Sequence, residues 1–309
     1  MAVTISAIQM ACGPDPAGNL DRAGELARRA AQEGSDIVVL QELVAHQLFY
    51  NFGWREDFFE LAETLESSRT VGYMQELARE LHVVIPVNFF EQAGQAYFNT
   101  TAVVDADGTI AGTYRKSHMP LGPPTCYEKY YTSPGDTGFR VFDTAAGRIG
   151  CCICWDQWFP EAARVMSLRG AELLIYPTAI GSDCHDHWRT AMCGHAASNM
   201  VPVVAANRVG TESASGDHST TYWGRSFITD HFGTVIAEAG TDDDEIITAS
   251  VDPQGADRDR AAWGLFRDRR PDLYRPLLTM DGSADGPAAP PGPPPPSTSA
   301  SKEYSAPSV

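Results

Sequence analysis

Nowhere does the 309-residue chain hold the ~20 consecutive apolar residues that a membrane-spanning helix needs, so no such helix is expected. Positive charge is scarce: 23 Lys and Arg stand against 40 Asp and Glu, a formal net charge of -17. That balance argues against nucleic acid and membrane surfaces as partners and mildly favours cationic small molecules. A disulfide framework is missing as well, since seven cysteines is an odd number and Cys151, Cys152 and Cys154 crowd one stretch. Such usage points to a reducing compartment, and a cytoplasmic location is the expectation. Cys184, His185, His187, Cys193 and His195 fall close together but without the i, i+4 histidine spacing of a metal helix. The Cys151-x-x-Cys154 spacing has no second pair to complete a site. Gly147-Arg148-Ile149-Gly150 opens no phosphate cradle. No metal and no cofactor is therefore expected. The opening residues Met1 to Gln9 read as a strand, not a secretory signal.

What the chain does have is 43% hydrophobic residues, ample for one large core, arranged in alternating helix and strand patterns. Strands are expected at Val3 to Met10, Ile37 to Leu40 and Val83 to Phe90, with helices at Asn19 to Glu33 and Arg69 to Leu81. Gly-bearing turns join three hairpins: Phe98 to Val104 with Thr109 to Tyr114, Arg140 to Asp143 with Arg148 to Ile153, and Arg225 to Thr229 with Thr234 to Glu238. Hairpins mixed with crossovers predict an α/β fold in which two sheets pack under helices, rather than one purely parallel sheet. A folded domain over 1–280 is expected, followed over 281–309 by a Pro/Ala/Ser-rich tail, including Pro290 to Pro296, too poor in apolar residues to fold.

Three strand ends carry chemistry. In Gly150-Cys151-Cys152-Ile153-Cys154-Trp155 an apolar run stops at a thiol, and Pro160-Glu161 then opens a helix. A cysteine in such a turn has its thiolate favoured by unpaired backbone N–H groups, and the Trp155 N–H could face an oxyanion. Cys151 and Cys152 read as small apolar residues of a buried strand, and Cys154 admits the same reading. Ile37-Val38-Val39-Leu40-Gln41-Glu42 ends in a carboxylate, a candidate general base or else a surface acid. Ile110 to Tyr114 runs into Arg115 and Lys116, where Lys116 could stabilise a developing oxyanion or simply be solvated.

Together these residues resemble the nitrilase superfamily of carbon-nitrogen hydrolases, which order a Glu, a Lys and a Cys along the chain in this way. The segments that carry the resemblance are Leu40-Gln41-Glu42, Tyr114 to Pro120, Pro134 to Phe139 and Ile153 to Glu161. It implies a four-layer αββα sandwich of two mixed sheets flanked by helices. It also implies Glu42 as base, Lys116 as oxyanion stabiliser, Cys154 as nucleophile and Glu128 as a second glutamate beside the lysine. Cys154 to Arg164, Tyr176 to Ser182 and Trp263 to Pro271 are most similar to the N-carbamoylputrescine amidase branch, within polyamine biosynthesis. Gln157 and Trp158 stand where relatives acting on N-carbamoyl amino acids can carry arginines, so an amine or neutral substrate is favoured. The loop between Ser182 and His187 is shorter than in that branch.

The expectation is a cofactor-free thiol amidohydrolase that splits an N-carbamoyl amine to amine, carbon dioxide and ammonia. Gln157, Trp158, His187, Trp188 and Tyr50 are candidate pocket residues. A β-ureidopropionase-like enzyme or an aliphatic amidase is the alternative within the class. A catalytically weak binding or scaffold member, or a thiol sensor, is the alternative outside it. The resemblance further implies a homodimer or higher homo-oligomer.

Overall fold

The computed structural model describes residues 2–122, 125–181, 184–213 and 219–283. The expected tail from 284 onward, and Ser182 of the shortened loop, lie outside the described residues. One compact unit spans Met1–Trp263, and a second begins at Gly264; the described part of the second holds short 3-10 turns at Pro271–Leu273 and Arg275–Leu278.

The first unit is built on two mixed sheets. In the first, β1 (Val3–Gln9) lies between an antiparallel β14 (Glu245–Val251) and a parallel β2 (Ile37–Val39). A parallel bridge from Ile37 to Val84 carries this sheet into the antiparallel run β3 (Ile85–Ala93), β4 (Ala96–Val104) and β5 (Ile110–Arg115). The second sheet has six strands in the order β13-β12-β9-β8-β7-β6. These are β6 (Val141–Thr144), β7 (Gly147–Cys151), β8 (Leu173–Pro177), β9 (Val203–Ala206), β12 (Phe227–Thr229) and β13 (Val235–Glu238), with β7, β8 and β9 mutually parallel. A separate hairpin pairs β10 (Val209–Ser213) with β11 (Ser219–Trp223).

Side-chain alternation sorts the apolar residues into layers. Ile5, Ala7, Ile37, Val39 and Val103 of the first sheet meet Ile149, Cys151, Ile175 and Val204 of the second in one buried inter-sheet core. Their neighbours point the other way. Ile8, Val38 and Ile85 pack under α1 (Pro16–Gln32) and α2 (Arg69–Leu81), while Cys152, Leu174, Tyr176 and Val203 pack under α4 (Pro160–Leu168) and α5 (His185–Asn199). A short α3 (Glu128–Tyr131) interrupts the loops between the sheets, and α6 (Pro253–Trp263) closes the unit. The result is helix, sheet, sheet, helix. Leu26 and Leu77 are buried at the α1 and α2 contacts, each contributing about 1.5–3 kcal/mol through apolar area removed from water.

Local chemistry places the element ends. Ser68 accepts from the Val71 N–H to start α2 at the expected residue, and His82 ends it in the left-handed conformation. Helix α1 starts a turn before the expected Asn19, because Asp15 accepts from the Ala17 and Gly18 N–H groups and Pro16 suits the first helical position. No helix among the described residues is long and apolar enough to cross a membrane.

Candidate active site

Glu42, Lys116 and Cys154 all leave the ends of sheet strands and converge. Lys116 extends β5 by one residue, and its N–H donates to the Asn99 carbonyl at 2.8 Å, so the two side chains are cross-strand neighbours. The Asn99 Nδ2 donates to Glu42 Oε1 at 2.7 Å and to Glu128 Oε1 at 2.9 Å. The Lys116 Nζ donates to Glu42 Oε1 at 3.0 Å and to Glu128 Oε2 at 2.6 Å, so one ammonium and one amide bridge both carboxylates. All of these side chains are buried, and Lys116 is only 1% exposed. Burial opposes the Lys116 charge, but Glu128, Glu42 and Cys154 push its pKa well above the usual lysine value. The Glu128 carboxyl is pushed up to about 7, first by burial and then by the Glu42 charge, against the pull of Lys116.

Cys154 stands where β7 gives way to a 3-10 turn over Cys154–Trp158, with φ of +42, a left-handed backbone that a non-glycine residue adopts only when its surroundings hold it. Asp156 supplies that hold. Its fully buried carboxylate accepts from the Ile153 N–H at 3.1 Å, the Tyr114 hydroxyl at 2.7 Å and the His118 N–H at 2.9 Å, tying the thiol turn to the segment after Lys116. The turn also corrects the simple alternation of thiols. Cys151 faces the inter-sheet core and Cys152 the helix layer, but Cys154 returns to the inter-sheet side because the chain has left strand geometry. Burial, then Glu42, raises the Cys154 pKa well above the usual thiol value, against the pull of Lys116, so burial opposes the thiolate that the backbone N–H groups would favour. A 3-10 turn separates it from the N-terminus of α4.

Glu42, Glu128 and Cys154 open onto one cavity of about 500 Å³, lined also by Tyr50, Trp155, Gln157 and Trp158. Trp155 is 39% exposed at this cavity, and its N–H belongs to the first turn after the thiol, where backbone donors lack helical partners. Gln157 is fully buried: its Oε1 accepts from the Trp188 Nε1 at 2.7 Å and the Thr178 hydroxyl at 3.3 Å, which leaves its Nε2 with no partner among the described residues. The Tyr50 hydroxyl and the Trp158 Nε1 are likewise buried and unpartnered there. Two expected pocket residues lie elsewhere. Trp188 sits in the core under α5, behind Gln157, and His187 is solvent-exposed against the Trp158 ring at 4.5 Å. Helix α5 explains both, since residues 187 and 188 point about 100° apart around it.

Asn88 and Asn99 belong to no motif of the sequence, and Asp156 and Gly135 fall inside motif segments with no role of their own assigned there. Asn88 and Asn99 were detectable as polar residues inside the apolar runs that became β3 and β4. Gly135 follows a subtler rule: its N–H donates to the Lys116 carbonyl at 2.8 Å, and a Cβ there would lie 2.7 Å from that same oxygen.

Residues 4–261 match the family model for carbon-nitrogen hydrolases. The chain belongs to that family. It is 49% identical over 291 residues to the N-carbamoylputrescine amidase of Arabidopsis thaliana, covering 91% of this chain and 97% of that protein. It is 46% identical over 283 residues to the citrullinase of Francisella tularensis, covering 89% and 98%. Among solved structures, a carbon-nitrogen hydrolase from Helicobacter pylori G27 superposes with a TM-score of 0.85 at 36% identity, covering 91% of this chain and 99% of that one. As a member of the nitrilase superfamily with this αββα sandwich, the chain is a hydrolase of carbon-nitrogen bonds other than peptide bonds.

Proposed function

We propose that Cys154, Glu42, Lys116 and Glu128 form the catalytic centre, and that its substrate is an N-carbamoyl amine of the N-carbamoylputrescine type. The observation that carries the reading is the Lys116 ammonium held between Glu42 and Glu128 at the cavity that Cys154 lines. Burial favours the protonated sulfur, so attack calls for a base, and Glu42 takes that proton as the sulfur bonds to the carbamoyl carbon. The carbonyl electrons move onto oxygen, where the Lys116 Nζ and the Trp155 N–H stabilise them. When the carbonyl re-forms, the terminal C–N bond breaks and ammonia leaves with the proton from Glu42. Water then loses a proton to Glu42, Glu128 helps to orient it, and the thiocarbamate is cleaved to a carbamic acid as Glu42 returns that proton to the departing Cys154 sulfur; the carbamic acid falls apart to amine and carbon dioxide.

The substrate class is supported by the two curated relatives, whose names share a substrate with a carbamoylated nitrogen. A cationic or neutral distal group fits better than an anionic one, because no arginine or lysine lines the cavity among the described residues. Ammonia release should be measured on N-carbamoylputrescine, N-carbamoyl-β-alanine, citrulline and a plain aliphatic amide, with Cys154→Ala as the blank. The expected result is preference for the first substrate and no turnover by the folded variant. Turnover by Cys154→Ala would overturn the mechanism, preference for another substrate would overturn the substrate class, and no release from any would favour a binding role.

A further inference from the structure

We infer that Arg208 is a positioning residue that sets the Glu42 carboxylate against Cys154 by clamping the main chain of the turn that follows β2. Arg208 leaves the end of β9, is fully buried, and lines no part of the cavity. Its Nη2 donates to the carbonyls of both Glu42 and Leu43 at 2.7 Å. Its Nη1 pairs with Glu212 on β10, and the other oxygen of Glu212 accepts from the Leu48 N–H at 2.6 Å. One ion pair therefore grips the 42–48 segment at both ends.

The segment needs a grip. Leu43 has φ of +48, a left-handed conformation that a non-glycine residue holds only where its surroundings impose it. Asn88 Oδ1 accepts the Leu43 N–H at 2.7 Å, while Arg208 takes the two carbonyls on the other side. Relaxation of this residue would rotate the Glu42 backbone and swing its side chain away from Lys116 and the sulfur. A buried ion pair is weak evidence of stabilisation by itself, because desolvation offsets the attraction. A planar guanidinium that gives Nη2 to two adjacent carbonyls and Nη1 to Glu212 at the same time is a geometric device, which the single nitrogen of an ammonium cannot reproduce.

The inference rests on Glu42 being the base, so Glu42→Gln is measured in parallel with Arg208→Lys and the double variant Arg208→Gln/Glu212→Gln, which leaves no unpaired buried charge. Steady-state kinetics, thermal unfolding and the pH profile of kcat/KM are recorded for each. We expect Glu42→Gln to lose ~10²-fold or more in kcat, as removal of a general base does. Arg208→Lys should lose about tenfold and the double variant more, with KM within about twofold, and with a wild-type folded fraction for Arg208→Lys, since a 1 Å misplacement costs rate and not binding. The acid limb of the pH profile should move in the Arg208 variants, which a merely structural role would leave in place. A folded double variant with kcat within twofold of wild type overturns the clamp while leaving the base assignment intact. If the double variant does not fold, Arg208→Lys decides on the same threshold. Wild-type kcat in Glu42→Gln overturns the base and the clamp together.

Discussion

A buried phenol without a hydrogen-bond partner among the described residues carries a cost, and at position 50 that cost falls beside the carboxylates of Glu42 and Glu128. Burial, then Glu128 and Glu42, holds the Tyr50 hydroxyl well above its usual pKa, so it stays a neutral donor. Removing an unsatisfied buried group relieves about 1–3 kcal/mol, whereas removing a bond to substrate costs about 0.5–1.5 kcal/mol of binding. Tyr50→Phe should therefore unfold at the same or a higher temperature yet fall about tenfold in kcat/KM for the preferred substrate. A variant that is less stable and equally active would show the hydroxyl to be bonded within the fold. At this scale the convergence of Glu42, Lys116 and Cys154 was legible because each follows a strand, where open α/β sheets present functional groups. Arg208 follows β9 in the same way and went unread, since an arginine after Asn207 looks like any surface cation until its burial is known. Trp188 went the opposite way: the likeness of Asp186-His187-Trp188-Arg189 to a family segment implied a place at the cleft edge, but the helical turn directs it into the core.

Among the elements, β5 and the loop from Ser133 to Phe139 meet with no room for a side chain at Gly135. Gly135 lies so close to the Arg115 and Lys116 carbonyls that any side chain must push the strand end away. Gly135→Ala is expected to lower kcat about tenfold by moving Lys116, and to cost about 1–3 kcal/mol of stability through overpacking. Kinetics with thermal unfolding check both, and wild-type values for each would mean that the loop yields freely. Hairpins and helices were readable here because their signals are local: alternation, Gly turns, and a cap such as Ser68. The pairing of β2 with β1 and of β8 with β9 was not, because parallel partners share no turn and are chosen by the whole core. The 3-10 turn at Cys154 was hidden for a similar reason, being held by Asp156 through Tyr114 and His118 from another strand.

For the whole molecule, a net charge of -17 surrounds a cavity without a lining arginine or lysine among the described residues. Long-range attraction of a cation is screened as salt shortens the Debye length from about 30 Å at 0.01 M to about 8 Å at 0.15 M. Over that range kcat/KM for N-carbamoylputrescine should fall several-fold while that for a neutral amide stays level, which parallel titrations with salt would check. Equal responses would assign the acids to solubility alone. The division of the site between sheets reaches further. Glu42 and Lys116 belong to one sheet and Cys154 to the other, so their meeting depends on the inter-sheet core around Ile37, Ile149 and Ile175. A chain still emerging from the ribosome, or one partly melted, has the sulfur apart from the carboxylate and ammonium that the proposed mechanism sets against it. On the proposed mechanism, turnover thus reports completed folding, since the two sheets must meet before Glu42 and Lys116 reach the sulfur.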